Sequence, residues 1–153
     1  VILCLRGADP FLDWCLGGLV RQDYPNYRVL IVVDSAQDEA LPQAESLRRE
    51  HGKVRVEVLI RDRILPHCSR RASSFFCGLG HVPDEVDVME MCDADAIPHS
   101  TGLRELVSPL QDPLTVATPG NRWYAPLILI MGGICRYFWN ALTFRTMYKY
   151  RIP

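Results

Sequence analysis

Residues 27–35 read Tyr27-Arg28-Val29-Leu30-Ile31-Val32-Val33-Asp34-Ser35. The aliphatic run from Val29 to Val33 is too short for a helix, is mostly β-branched, and leaves no polar side to face water. A strand buried on both faces takes this form, and such strands belong to parallel sheets covered by helices. The run stops at a carboxylate, Asp34.

Working outward from it, strands and helices alternate. Upstream, Asp23-Tyr24-Pro25-Asn26 is turn chemistry. Before it, Asp9 to Arg21 predicts a helix, with Asp9 as cap, Pro10 at the first position, and Phe11, Trp14, Cys15, Leu16 and Leu19 on its apolar side. Val1 to Leu5 is a second buried strand. Downstream, Asp38 to Gly52 predicts an exposed, charged helix closed by glycine, and Val54 to Ile60 a strand. Cys68 to Gly80 predicts a helix with Phe75 and Phe76 packing inward. Val86 to Cys92 reads as a fourth strand, Ser100 as the cap of a short helix through Leu106, and Leu114 to Thr118 as a fifth strand. The expected fold is α/β: a Rossmann-like, mostly parallel sheet flanked by helices. Residues 1–119 are expected to form this domain and 120–153 to begin a separate, membrane-proximal segment.

Composition narrows the partners. At 153 residues and 48 % hydrophobic content the chain can bury one core. A net charge of −1, with no run of Lys or Arg, excludes nucleic acid as a partner, so any anionic ligand needs a local site. Six cysteines without a C-x-x-C pair argue against zinc and for buried free thiols on a reducing, cytoplasmic face. The chain opens inside an apolar run and stops at Arg151-Ile152-Pro153, so it reads as a piece of a longer protein.

In sheets of this kind, ligands bind beyond the carboxyl ends of the strands. Arg6 and Asp9 stand there after the first strand, Asp34 after the second, and Asp93 and Asp95 after the fourth. Alternate carboxylates leaving a strand can offer hard oxygen ligands to Mg²⁺ or Mn²⁺, although Asp93-Ala94-Asp95 could equally be a solvated turn. Asp34 could accept a hydrogen bond from a nucleobase N–H or cap the next helix. Arg70 and Arg71 open a helix whose N-terminus disfavours cations unless an anion is present. That suggests a phosphate, or surface ion pairs with Asp62 or Glu90.

These strings resemble family 2 glycosyltransferases of A-type fold. Q-D-Y-P (Gln22 to Pro25) followed by a strand ending in Asp34 is similar to that family's opening; Cys68-Ser69-Arg70-Arg71 resembles its C-S-x-K/R helix start, and Asp93-Ala94-Asp95-Ala96-Ile97-Pro98 its D-A-D-x-x-P motif. L-R-G-A-D-P (Leu5 to Pro10) and the later R-Y-x-W-N and Y-x-Y-R-I-P strings are most similar to the ceramide-glucosyltransferase-like and hopanoid-lipid branch. The resemblance implies that Asp34 contacts the uracil of a uridine-diphosphate (UDP) sugar, Arg71 its uridine–diphosphate part, Asp93 the ribose or diphosphate, and Asp95, with Asp93, a Mn²⁺ or Mg²⁺ ion. Gly7-Ala8 stands where many relatives have Asn-Glu, which leaves any base contact from that loop to Arg6 or backbone. The implied reaction is inverting transfer of a hexose to a lipid or polyisoprenoid-like hydroxyl at the membrane's cytoplasmic face. The resemblance implies that the family's general base and its Q-x-x-R-W motif lie beyond Pro153; Arg122-Trp123 is not that motif, because Pro119 occupies the glutamine position.

Ala125 to Cys135 is an uncharged apolar run too short to span a bilayer, and Arg136 interrupts its extension. With Tyr124, Tyr137, Trp139, Tyr148 and Tyr150 around it and Arg145, Lys149 and Arg151 beyond, it reads as an interfacial amphipathic helix or as a partly buried one. Two other functional readings remain in view: a non-catalytic, membrane-docking nucleotide-binding module, and a receiver-like phosphoryl acceptor. The second is disfavoured because Pro119, not lysine, follows the fifth run.

Overall fold

A computed structural model describes residues 1–51, 54–120 and 130–150, with backbone alone at 144 and 146–150. The elements are β1 (Ile2–Leu5), α1 (Leu12–Leu19), β2 (Arg28–Val33), α2 (Leu41–Glu50), β3 (Arg55–Ile60), α3 (Arg70–Leu79), β4 (Met91–Cys92), α4 (Gly102–Val107), a 3₁₀ turn (Ser108–Gln111) and α5 (Met131–Tyr150). The strands form one parallel sheet in the order β3-β2-β1-β4. The order reverses between β1 and β4, where open α/β sheets form a crevice. The expected fold class is therefore the observed one.

Side-chain alternation along the strands builds the two layers. Leu3, Leu5, Val29, Ile31 and Val33 point to one face, where Leu12, Cys15, Leu16 and Leu19 of α1 and Ala44 and Leu47 of α2 close over them. Ile2, Leu30 and Val32 point to the other, where Phe75, Cys77 and Leu79 of α3 pack. β2 is thus covered on both sides, as its unbroken apolar run requires, and each fully buried Val, Leu or Ile contributes about 1.5–3 kcal/mol. Gly78 lets α3 approach the sheet closely, since a Cβ there would meet Ile2 Cγ2 at 3.0 Å and Val32 Cγ2 at 3.1 Å.

Several boundaries differ from the sequence reading. The helix expected from Asp9 starts at Leu12; Asp9 instead forms the preceding turn, its Oδ1 accepting from Phe11 N at 2.8 Å. The helix expected from Asp38 starts at Leu41, because the Asp38 carboxylate accepts from Ala40 N at 2.9 Å and from Gly7 N at 3.0 Å. Gly7 has φ +74, so glycine suits that loop, which Asp38 ties to the loop after β2. The closing Gly52 lies outside the described residues.

The fourth strand is two residues long, not Val86 to Cys92. Its ladder begins at Ile2↔Met91, so residues 86–89 run past the end of β1, and Val86 N turns back to Pro83 O. The short helix begins at Gly102 rather than after Ser100 as its cap: Ser100 O accepts from Asp23 N, and Thr101 O accepts from Glu105 N. Leu114 to Thr118 is not a strand; Leu114 and Val116 are 88 % and 94 % exposed, and a local turn through Asp112 replaces pairing. Phe75 packs inward as expected, but Phe76 faces solvent.

The chain divides into compact units Val1–Glu105 and Leu106–Pro153. In the second, Thr118 Oγ1 donates to Leu106 O at 2.6 Å, and α5 exposes Phe138, Trp139 and Leu142. Among the described residues no helix is long and apolar enough to cross a membrane. Residues 121–129, which hold Arg122-Trp123, Tyr124 and most of the apolar run from Ala125, lie outside the description, as do the side chains of Tyr148, Lys149 and Tyr150 and all of Arg151.

Candidate functional site

Parallel register assembles the site. β1 ends at Leu5 opposite Val33 of β2, and Val33 is opposite Ile60 of β3. The next residue of each strand, Arg6, Asp34 and Arg61, therefore forms a further rung at the carboxyl edge. Backbone bonds extend the ladder there: Asp34 N donates to Leu5 O at 3.1 Å and Arg61 N to Val33 O at 2.9 Å. By the alternation that sends Val32 to the α3 face, Asp34 turns to that face as well.

The Asp34 carboxylate is ringed by arginines. Arg61 Nη1 pairs with Oδ1, Arg70 Nη1 donates to Oδ2 at 3.3 Å, and Arg6 Nε stands 4.0 Å from Oδ2. Arg61 is the buried member, its side chain 5 % exposed, and its Nη1 also reaches Ser74 Oγ at 3.2 Å and Arg70 O at 3.4 Å. Arg6 and Arg70 are 70 % and 50 % exposed.

Arg70 and Arg71 sit in the first turn of α3, which Ser69 caps by accepting from Ala72 N at 3.1 Å. Two cations beside a helix's positive end need anions nearby. They find Asp34 for Arg70 and Asp93 for Arg71, rather than Asp62 or Glu90. Asp93 thus reaches the same edge from β4, across the crevice beside β1. Asp95 is exposed two residues on.

The end of β4 is pinned from behind. Cys15 Sγ of α1 and Cys92 Sγ both lie near the Asp93 carbonyl, at 3.6 and 3.5 Å. A hydrogen bond from Cys92 pulls the Cys15 thiol below its usual range, against burial and the carboxylates of Asp95, Asp9 and Glu90. On the α3 face, burial pushes the Cys4 thiol up, with the Arg71 guanidinium pulling the other way. None of the six cysteines forms a disulfide among the described residues.

The structure brings together five of the residues singled out from sequence: Arg6, Asp34, Arg70, Arg71 and Asp93. It adds Arg61, which sequence reasoning passed over although it follows β3 as Arg6 and Asp34 follow β1 and β2. Gly7 N–H, a possible contact from the first loop, is held by Asp38. Four guanidinium groups meet the Asp34 and Asp93 carboxylates at this edge, with Asp9, Asp38 and Asp95 on the neighbouring loops. The exposed Arg6, Arg70 and Arg71 are the groups that can pair with an anion such as a diphosphate. Among the described residues, no three His, Cys, Asp or Glu side chains form a metal-sized group.

A ceramide glucosyltransferase from Komagataella phaffii (strain GS115 / ATCC 20864) is 28 % identical over 92 residues, which is 60 % of this chain and 18 % of that protein. The chain therefore corresponds to less than a fifth of that relative's length. Residues 1–118 match a family model, well over half of the chain, and the chain belongs to glycosyl transferase family 21, a family separate from the family 2 that its motifs resemble.

Proposed function

We propose that this chain is the donor-binding part of a glycosyltransferase that moves a sugar from a UDP-sugar to a lipid-type hydroxyl with inversion. The observation that carries the reading is the Arg6–Asp34–Arg61 rung, joined by Arg70, Arg71 and Asp93 at the sheet's carboxyl edge. In it, Asp34 accepts from the base N–H, Arg71 faces the uridine–diphosphate part, and Asp93 faces the ribose or diphosphate. Arg6 supplies the contact of the first loop.

Asp93 and Asp95 fit a Mg²⁺ or Mn²⁺ ion by the chemistry of their donors: hard carboxylate oxygens, of which such ions need only one or two when phosphates complete the shell. Bound there, the ion would stabilise negative charge on the departing diphosphate. The acceptor class is proposed from the name of the Komagataella phaffii relative, which points to a ceramide-type lipid hydroxyl. A lipid acceptor in turn supports association with the membrane surface at its cytoplasmic face.

Calorimetry with UDP, CDP and ADP in Mn²⁺ tests the reading. UDP should bind most tightly, and Asp34→Ala should relax the preference while the protein stays folded. Absence of UDP binding, or an unchanged preference in Asp34→Ala, overturns it.

A further inference from the structure

The two oxygens of Asp34 have unequal surroundings. Oδ1 is held by a guanidinium that is itself almost wholly enclosed, while Oδ2 has, among the described residues, the two exposed arginines, at 3.3 and 4.0 Å. Arg61 cannot easily leave. Its backbone is bonded to the end of β2, and its Nη1 lies between Asp34, Ser74 Oγ and the carbonyl of Arg70. Arg6 and Arg70 have side chains largely in water and can swing aside at little cost, since exposed ion pairs contribute about 0–1 kcal/mol.

We propose that Arg61 is a positioning residue: it fixes the Asp34 carboxylate through Oδ1 so that Oδ2 is the oxygen presented to the base of a nucleoside diphosphate, with Arg6 and Arg70 covering Oδ2 until the ligand displaces them. This rests on the reading that Asp34 meets the base.

The chemistry follows from the two pyrimidines. Uracil presents N3–H as a donor, which a carboxylate oxygen accepts; cytosine presents a lone pair at the same position, which a carboxylate repels. A carboxylate discriminates between them only if its oxygen is held toward that edge. An unclamped Asp34 could rotate about χ1 and χ2 or turn fully toward Arg6 and Arg70, and the distinction would blur. Arg61 touches neither base nor phosphate in this scheme. It acts through Asp34, and its Nη1, held also by Ser74 Oγ and the Arg70 carbonyl, fixes Oδ1 more firmly than a flexible ammonium would.

The test compares UDP and CDP binding to the whole chain by calorimetry in Mn²⁺, for wild type, Arg61→Met, Arg61→Lys and Asp34→Ala, with circular dichroism melts on each. The readout is the UDP-to-CDP affinity ratio, which a merely structural role would leave alone while lowering both affinities together. Arg61→Met should cut the ratio by roughly tenfold, the worth of one well-aligned charged hydrogen bond, and Arg61→Lys should restore part of it. A wild-type ratio in folded Arg61→Met, with the ratio lost in Asp34→Ala, overturns the role of Arg61 and leaves the Asp34 reading standing. If Arg61→Met does not fold, Arg61→Lys decides: a reduced ratio supports the role and a wild-type ratio overturns it. If Asp34→Ala itself keeps the ratio, the base reading fails, and the role of Arg61 falls with it.

Discussion

Gln22 Nε2 donates to the carbonyl oxygen of His99 at 2.8 Å, joining the turn after α1 to the loop that follows Asp93-Ala94-Asp95. The same nitrogen donates to Gly18 O at 2.9 Å, and Oε1 accepts from Leu103 N at 2.9 Å. Gln22 is 8 % exposed, and both N–H donors and the carbonyl of its buried amide are used as a clasp between two distant segments. The glutamine of the Q-D-Y-P string is therefore explained by what it holds, the exit of the acidic loop, rather than by any contact with ligand.

Replacing that clasp should be costly. Gln22→Ala leaves the Leu103 N–H without its partner, while the Gly18 and His99 carbonyls keep Arg21 N and Gly102 N, and a loss of about 1–3 kcal/mol is expected from urea unfolding. Gln22→Glu cannot donate to either carbonyl and should lose at least as much at neutral pH. A loss within the spread of ordinary surface substitutions would mean that the loop is held by other contacts.

The proposed metal role belongs to Asp95. Asp95→Asn should lower UDP affinity in Mn²⁺ by roughly tenfold or more and leave the affinity in EDTA near that of wild type. Equal weakening in both media would point to general damage at the loop, and no weakening would remove Asp95 from the site.

Glu90 gives a pH-dependent signature. Burial raises its carboxyl above the usual range, and its Oε2 is buried without a hydrogen-bond partner among the described residues. A raised folded-state value means the protonated acid favours the fold: its contribution is fully present below the ordinary carboxylate pKa and is lost as pH rises through the raised one. Glu90→Gln, neutral throughout, should match wild type in acid and exceed it at pH 7. Melts at the two pH values check this; a difference that does not change with pH would refute the linkage.

The second unit carries the membrane proposal. α5 exposes Phe138, Trp139 and Leu142, at 61 %, 76 % and 62 %, with Arg136 and Arg145 on the same helix. Such a composition adsorbs through apolar burial, with cations adding attraction to anionic lipid. The protein should sediment with anionic liposomes, and Phe138→Ser, Trp139→Ser and Leu142→Ser together should weaken this more than neutralising Arg136 and Arg145. Wild-type protein that stays folded in the supernatant would end the proposal.

What the sequence determined by itself was the two buried strands β1 and β2 and the polar residues that follow them, with Asp93 after the fourth run. Runs such as Val29 to Val33 admit only one environment, and their termination at Arg6, Asp34 and Asp93 is local information. Shorter-range reading failed where a strand needs a neighbour: Val86 to Met89 and Leu114 to Thr118 have strand-like composition, but pairing is decided by what lies alongside. Only the tertiary structure decided that Arg6, Asp34 and Arg61 share a rung, that Arg70 and Arg71 answer to two different carboxylates, and that Gln22 holds the exit of the acidic loop. The register that does this aligns residues far apart in the chain, and a one-residue slip would turn Asp34 to the opposite face. No pattern within a single segment carries that information, and only the sheet placed Arg61 beside Asp34.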